Sequence, residues 1–266
     1  MVRTDNWPSN SCTSTFLDAI AARITIRFAQ APVEAPQADL RGPRGPYDKM
    51  PRMRLRNLSI ALLLSISGCA LPSLGGQPAS VPSGTVLFAD DFSSPTTGWE
   101  RIRYGQDGIM DYDGAGYRIL VNALQANFWS TPHKDFGDVR LEVDAGKLAG
   151  PDENRIGLIC RSDGASYYFF IIGSDGYYGL GLYKDHQATL IGQSAMKSSA
   201  DIKTGAAVNH LRLDCTGSGL TAYANSVKLA EAQDATLQHG DVGLLAGTFD
   251  QAGVDVIFDN FVVLKP

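Results

Sequence analysis

The sequence lacks the features that would assign a function outright. Its one pronounced apolar run, Leu58 to Ile66, is far shorter than the ~20 residues a membrane-spanning helix needs, so a lasting transmembrane span is not expected. No basic patch is present, and residues 70–266 carry a formal charge of -9, which repels phosphate backbones and argues against a nucleic-acid partner. No H-E-x-x-H motif or Cys/His cluster points to zinc, and no G-x-S-x-G elbow points to a serine hydrolase. His133, His186, His210 and His239 stand apart, with no partner given by spacing. From about Thr85 onward no stretch keeps helical periodicity for three turns, although residues 15–30 could form a short helix. Among 266 residues, 44% are hydrophobic and 19% charged, a composition that excludes a mostly disordered or collagen-like chain.

The charge is divided unevenly. Residues 1–69 hold nine Lys+Arg and five Asp+Glu, a net +4. Near the end of that stretch, Arg54-Leu55-Arg56 precedes the apolar run, and Ile66-Ser67-Gly68-Cys69 follows it. This basic, apolar, small-residue succession reads as a signal peptide over 53–68. The tetrad resembles the lipobox of bacterial lipoproteins. That resemblance implies cleavage before Cys69, diacylation of its thiol, and display outside the cytoplasm at the cell surface or in the periplasm. Two acyl chains suffice for stable membrane anchoring where one does not. Residues 1–52 precede a signal of this kind without belonging to it and read as a misassigned or disordered extension. Residues 69–84 combine the lipidated Cys with a Pro/Gly/Ser-rich stretch that reads as a flexible tether.

From about Thr85 to Pro266 the pattern changes to period two, with β-branched and aromatic residues between Gly, Asp and Asn punctuation. Nine runs stand out: 117–121, 139–144, 156–161, 167–172, 177–183, 210–215, 220–224, 242–246 and 254–264. Turns are expected at Asp163-Gly164, Asp175-Gly176, Gly217-Ser218-Gly219 and Asn225-Ser226. Strands without helices to cover them bury one sheet against another, so the expected class is an all-β, antiparallel two-sheet sandwich. Leu87-Phe88-Ala89-Asp90-Asp91-Phe92-Ser93, Gly98-Trp99, Gly240-Asp241-Val242-Gly243-Leu244 and Val256-Ile257-Phe258-Asp259-Asn260-Phe261 occur in an order that resembles the concanavalin A-like lectin/glucanase superfamily. The likeness is to its bacterial laminin-G-like modules and to the glucanase-like domain of keto-disaccharide hydrolases. It covers nearly all of 86–264 and implies a jelly-roll sandwich whose first and last strands are neighbours.

Because one fold hosts many functions, sites are argued separately. Laminarinase-type members carry Glu-x-Asp-x-x-Glu or Glu-x-Asp-x-Glu, since retaining hydrolysis needs two carboxylates about 5 Å apart. Here Glu142 and Asp144 share a strand face, but Gly146 and Lys147 stand where the second Glu would be. The pair also reads as the wet face of a strand. Related sandwiches often bind Ca²⁺ where the first and last strands meet, which nominates Asp91 and Asp259, with Asp90 as an alternative; the same side chains also read as turn acceptors. A sugar ligand would need aromatic platforms, for which Tyr168, Tyr178, Tyr183 and Trp129 are candidates alongside Arg161, with core packing as the competing reading for each. In an exported domain Cys160 and Cys215 both face inward by alternation and are expected to form a disulfide. Together these readings favour a membrane-anchored module that binds a glycan or a cell-envelope polymer without catalysis. A glycoside hydrolase of the keto-disaccharide type and a structural interaction module without a small-molecule site are the alternatives.

Overall fold

The computed structural model describes residues 81–114 and 116–266. The extension at 1–52, the signal-like segment at 53–68, Cys69 and the tether as far as residue 80 lie outside the described residues. None of the described residues is helical. The strands are β1 (Val86–Asp90), β2 (Ile102–Arg103), β3 (Gly108–Tyr112), β4 (Tyr117–Val121), β5 (Asn127–Ser130), β6 (Val139–Ala149), β7 (Asn154–Ser162) and β8 (Tyr167–Ile172). They continue with β9 (Tyr177–Lys184), β10 (Gln187–Leu190), β11 (Lys197–Ser198), β12 (Asn209–Thr216), β13 (Gly219–Ala224), β14 (Val227–Gln233), β15 (Asp241–Thr248) and β16 (Val254–Leu264). All nine runs read from alternation fall within strands.

The strands form two antiparallel sheets, a jelly-roll sandwich. One sheet has nine strands in the order β14-β13-β12-β6-β16-β4-β3-β2, with β1 also paired to β16. The other has seven, in the order β10-β9-β8-β7-β15-β5, with β11 added to β9. Alternation decides what each strand buries. On the nine-stranded sheet, Tyr117, Ile119 and Val121 of β4, Val139, Leu141 and Val143 of β6, and Leu211, Leu213 and Cys215 of β12 all point inward. They meet Leu158, Cys160, Tyr168, Phe170, Ile172, Leu180, Val242 and Leu244 from the seven-stranded sheet. Each such fully buried apolar side chain contributes about 1.5–3 kcal/mol relative to exposure.

The first and last strands do lie side by side, with Asp90 opposite Phe261. Asp90 explains much of the opening motif. Its buried carboxylate accepts hydrogen bonds from Phe92 N and Trp99 Nε1, both at 2.8 Å, and so fixes the indole edge-on to Phe261. Gly98, at φ 111°, brings its backbone so close to Pro132 that a Cβ would sit 2.9 Å from the Pro132 carbonyl oxygen. In β16 a bulge at Asn260, which has φ 55°, shifts the register between Asp259 and Val262. That extra residue lets Phe258 and Phe261, three apart, both face the core.

Cys160 and Cys215 are joined by a disulfide that ties β7 to β12, and therefore one sheet to the other, across a sequence separation of 55. Closing a loop of that length is worth about 4 kcal/mol in the chain-entropy account. The Cys160→Ala/Cys215→Ala double variant is therefore expected to melt roughly 10 °C lower by calorimetry. Reducing the wild type should reproduce the shift, and an unchanged melting temperature would show that the cross-link contributes nothing.

Candidate functional site

The seven-stranded sheet buries residues on both of its faces, since every position of β7 and β8 is buried. The face turned away from the core carries Ile159, Tyr167, Phe169, Ile171, Tyr183 and Leu245, with Trp129 and Phe249 packed against them. Between these large side chains stand Gly157, Gly179, Gly181, Gly243 and Gly247, each opposite a residue of that same face. The glycines leave the big side chains room to lean: a Cβ on Gly181 would lie 2.3 Å from the Phe169 ring.

Trp129, Tyr167 and Tyr183 form one aromatic group on this face. The tyrosine rings stack at 5.0 Å between centroids, and the Trp129 indole lies 5.5 Å from Tyr167 and 6.5 Å from Tyr183. Burial holds the Tyr167 phenol well above its ordinary pKa, so it remains a neutral hydroxyl at physiological pH. Arg155 belongs to the same region. Its guanidinium sits 3.9 Å over the Phe249 ring and donates to Asn127 Oδ1 at 3.0 Å. Burial pulls its pKa down to about 10, which leaves it charged near neutrality.

Trp129, half-buried, also forms one wall of a cavity of about 570 Å³. Four separate chain segments supply the rest. Glu100 comes from the loop before β2, Thr131 to Asp135 follow β5, Ser162 to Gly164 turn from β7 into β8, and His239 to Asp241 lead into β15. Two of these segments are pinned together by reciprocal backbone hydrogen bonds between Phe136 and Gly240, both 2.9 Å. Glu100 Oε2 accepts from Thr131 N at 2.8 Å and from the Ser130 hydroxyl, which in turn accepts from the Tyr117 hydroxyl at 2.7 Å. His239 donates from Nδ1 to Asp135 Oδ1 at 2.9 Å, and His133 Nε2 lies 3.6 Å from Glu100 Oε1. Histidines that spacing left without partners therefore meet at one cavity through the fold.

The sequence-derived ligand candidates divide. Trp129 and Tyr183 sit together on the outward face. Tyr168 and Tyr178 do not: both belong to the core between the sheets, and the Tyr168 hydroxyl donates to Asp234 Oδ1 at 2.5 Å while accepting from Leu237 N at 3.0 Å. Arg161 also needs correcting. Strict alternation would place it beside Ile159, but its φ of 54° breaks the phase where the β7–β15 register shifts. The side chain is 1% exposed and donates to Gly217 O at 2.7 Å, Leu237 O at 2.9 Å and Asp138 Oδ1 at 3.0 Å. It clamps three loops and faces no ligand surface.

Glu142 and Asp144 lie on the outer face of the nine-stranded sheet and are not part of the Trp129 cavity. His210 bridges them, with Nδ1 at 2.8 Å from Asp144 Oδ1 and Nε2 at 3.5 Å from Glu142 Oε2, and Asn260 donates to the other Asp144 oxygen at 3.0 Å. At the meeting of the first and last strands, Asp91 Oδ1 accepts from Ser93 N and Ser93 Oγ, and Asp259 Oδ1 accepts from Asn260 N. Among the described residues no group of three or more His, Cys, Asp or Glu side chains gathers to hold a metal.

No family model matches the sequence, and no curated protein matches it. Solved structures do. The carbohydrate-binding module CBM66 from Bacillus subtilis superposes with a TM-score of 0.53 at 17% identity, covering 64% of this chain and 96% of its own. A protein of unknown function with a galectin-like fold, also from Bacillus subtilis, gives 0.53 at 12% identity over 69% of this chain and 97% of its own. A native glycosidic hydrolase gives 0.50 at 11% identity over 68% and 98%. At these identities the likeness fixes the concanavalin A-like, galectin-like fold alone.

The contacts of Arg161 generate a direct test of its place in the molecule. Replacing it by Ala removes the donor to two carbonyls and one of the two donors to Asp138 Oδ1, which keeps Gly217 N, an expected loss of roughly 2–4 kcal/mol of stability in denaturant titrations. Stability unaffected by the substitution would remove the clamp from the account.

Proposed function

We propose that the chain is a lipid-anchored, extracytoplasmic carbohydrate-binding protein, acylated at Cys69 and displaying its sandwich on a tether. One observation carries the binding reading: a half-buried tryptophan, backed by two stacked tyrosines, walls a cavity of about 570 Å³ lined mainly by polar residues. Sugar rings present apolar C–H faces that pack on flat aromatic side chains, while their hydroxyls need a few fixed polar partners. Trp129 supplies the first, and Ser162, Asp163, Asp241 and the two histidines supply the second. The cavity's size falls in the range of small-molecule sites. The solved neighbour described as a carbohydrate-binding module supports the same reading.

Anchoring rests on the sequence from Arg54 to Cys69, and the inter-sheet disulfide supports an oxidising compartment, where such cross-links persist. The hydrolase reading is the weaker one. Retaining hydrolysis needs two carboxylates flanking a glycosidic bond, whereas His210 stands between Glu142 and Asp144 on the outer face of the nine-stranded sheet.

Two measurements test this function. A glycan array with the full chain should find a bound sugar, and Trp129→Ala should weaken that binding at least tenfold while leaving the far-ultraviolet dichroism unchanged. Retained affinity would move the site elsewhere, and release of reducing sugar that disappears in Glu142→Gln would assign hydrolysis instead. Separately, Cys69→Ser should abolish acyl labelling and shift the protein from the membrane to the soluble fraction; membrane retention without label would overturn the anchor.

A further inference from the structure

The charge of the Trp129 cavity specifies more than a generic sugar. Four carboxylates line it, from Glu100, Asp135, Asp163 and Asp241, each on a different chain segment, so their convergence is made by the fold and not by a local acidic run. The single lysine of the lining, Lys134, holds its ammonium 5.0 Å over the Phe88 ring. Four carboxylates thus face one ammonium in the lining.

The acids differ in what they have left to offer. Glu100 and Asp135 are engaged with Ser130, Thr131, His133 and His239. Asp163 uses Oδ1 to accept from Ala165 N and Ser166 N, and Asp241 uses Oδ1 to accept from Val242 N. Among the described residues neither Oδ2 receives a hydrogen bond. Asp163 and Asp241 thus each keep one oxygen without a hydrogen-bond partner, in the lining they share with Trp129.

We infer that this cavity selects a sugar bearing a free amine, a protonated hexosamine unit, over neutral, N-acetylated or acidic sugars. An ammonium donates charge-assisted hydrogen bonds to carboxylates, stronger than those of a hydroxyl, and is attracted to the face of an indole. An acetylated amine offers neither charge nor the same donors, and a uronate would meet four like charges.

The inference rests on the carbohydrate-binding reading, and the experiment separates the two. Titration calorimetry on the full chain would compare a tetramer of β1,4-linked glucosamine with its N-acetylated counterpart and with cellotetraose, at low and at 0.5 M salt. The expected result is at least tenfold preference for the free amine at low salt, shrinking at high salt as charges are screened. The preference should disappear in Asp163→Asn/Asp241→Asn, whose Oδ1 atoms still accept the backbone hydrogen bonds. Equal affinity for the three tetramers would overturn the inference and leave the binding reading standing. Amine binding untouched by both that double variant and Trp129→Ala would also overturn it, since the ligand would then sit elsewhere on an acidic body. No binding to any glycan on the array would sink the reading beneath it.

Discussion

Two sheets that share one apolar interior leave each strand a single choice of phase, and that choice fixes where chemistry can be placed. Shifting β8 by one residue would exchange Tyr167 and Phe169 for Tyr168 and Phe170, putting every inward side chain on the wrong face. The core therefore decides which tyrosines look outward. Tyr168 goes in because Leu158, Phe170 and Leu180 go in with it, and its hydroxyl finds Asp234 and Leu237 at the rim. Tyr167 and Tyr183 go out together because they are direct cross-strand partners, and Trp129 joins them opposite Leu245.

The places where alternation breaks are where the loops are held. Phe92, Arg161 and Asn260 all have positive φ, a conformation that costs L-residues roughly 1–2 kcal/mol each. Each is compensated locally. Phe92 N is held by Asp90, Arg161 is held by two carbonyls and a carboxylate, and Asn260 donates to Asp144. At Arg161 the compensation also positions the cavity. Gly240, at φ 144°, packs so tightly on Arg161 and Ser162 that a Cβ would lie 2.5 Å from the Ser162 carbonyl oxygen, which sets the loop that carries His239 and Asp241.

This division explains what could be read from the sequence. The strands from 117 to 121, 139 to 144 and 254 to 264 are legible because inward and outward residues alternate against one core, and the four turns are legible because Asp-Gly, Gly-Ser-Gly and Asn-Ser require backbone freedom. Asn225 and Ser226 both adopt positive φ, as a tight hairpin demands. Trp129 and Tyr183 were found as aromatic candidates, but β7 and β8 are buried on both faces, so apolarity there does not distinguish the core from the outer face. The side of Tyr168 is thus hidden, and the bulge at Arg161 hides its direction. Nothing in the sequence groups Glu100, His133, Asp135, Asp163 and His239, since their spacings only become distances after the sheets have closed. The glycines at 157, 179, 181, 243 and 247 were the missed clue, because period-two glycine opposite large residues marks a face that must accommodate bulk.

A site of this kind separates stability from recognition. The residues that hold the loops, Asp90, Arg161 and Gly240, are buried or tightly packed, and their partners are mostly backbone groups, so they leave nothing for a ligand. Asp163 and Asp241 do the reverse: one oxygen accepts from backbone amides and fixes the side chain in the cavity lining, while the other accepts no hydrogen bond among the described residues. Fixing a carboxylate by one oxygen removes the rotamer entropy that a ligand would otherwise have to overcome, so the remaining oxygen is presented already oriented. Substituting such a residue by its amide preserves the orientation and removes only the charge. That is why the electrostatic character of this cavity is separable from its shape.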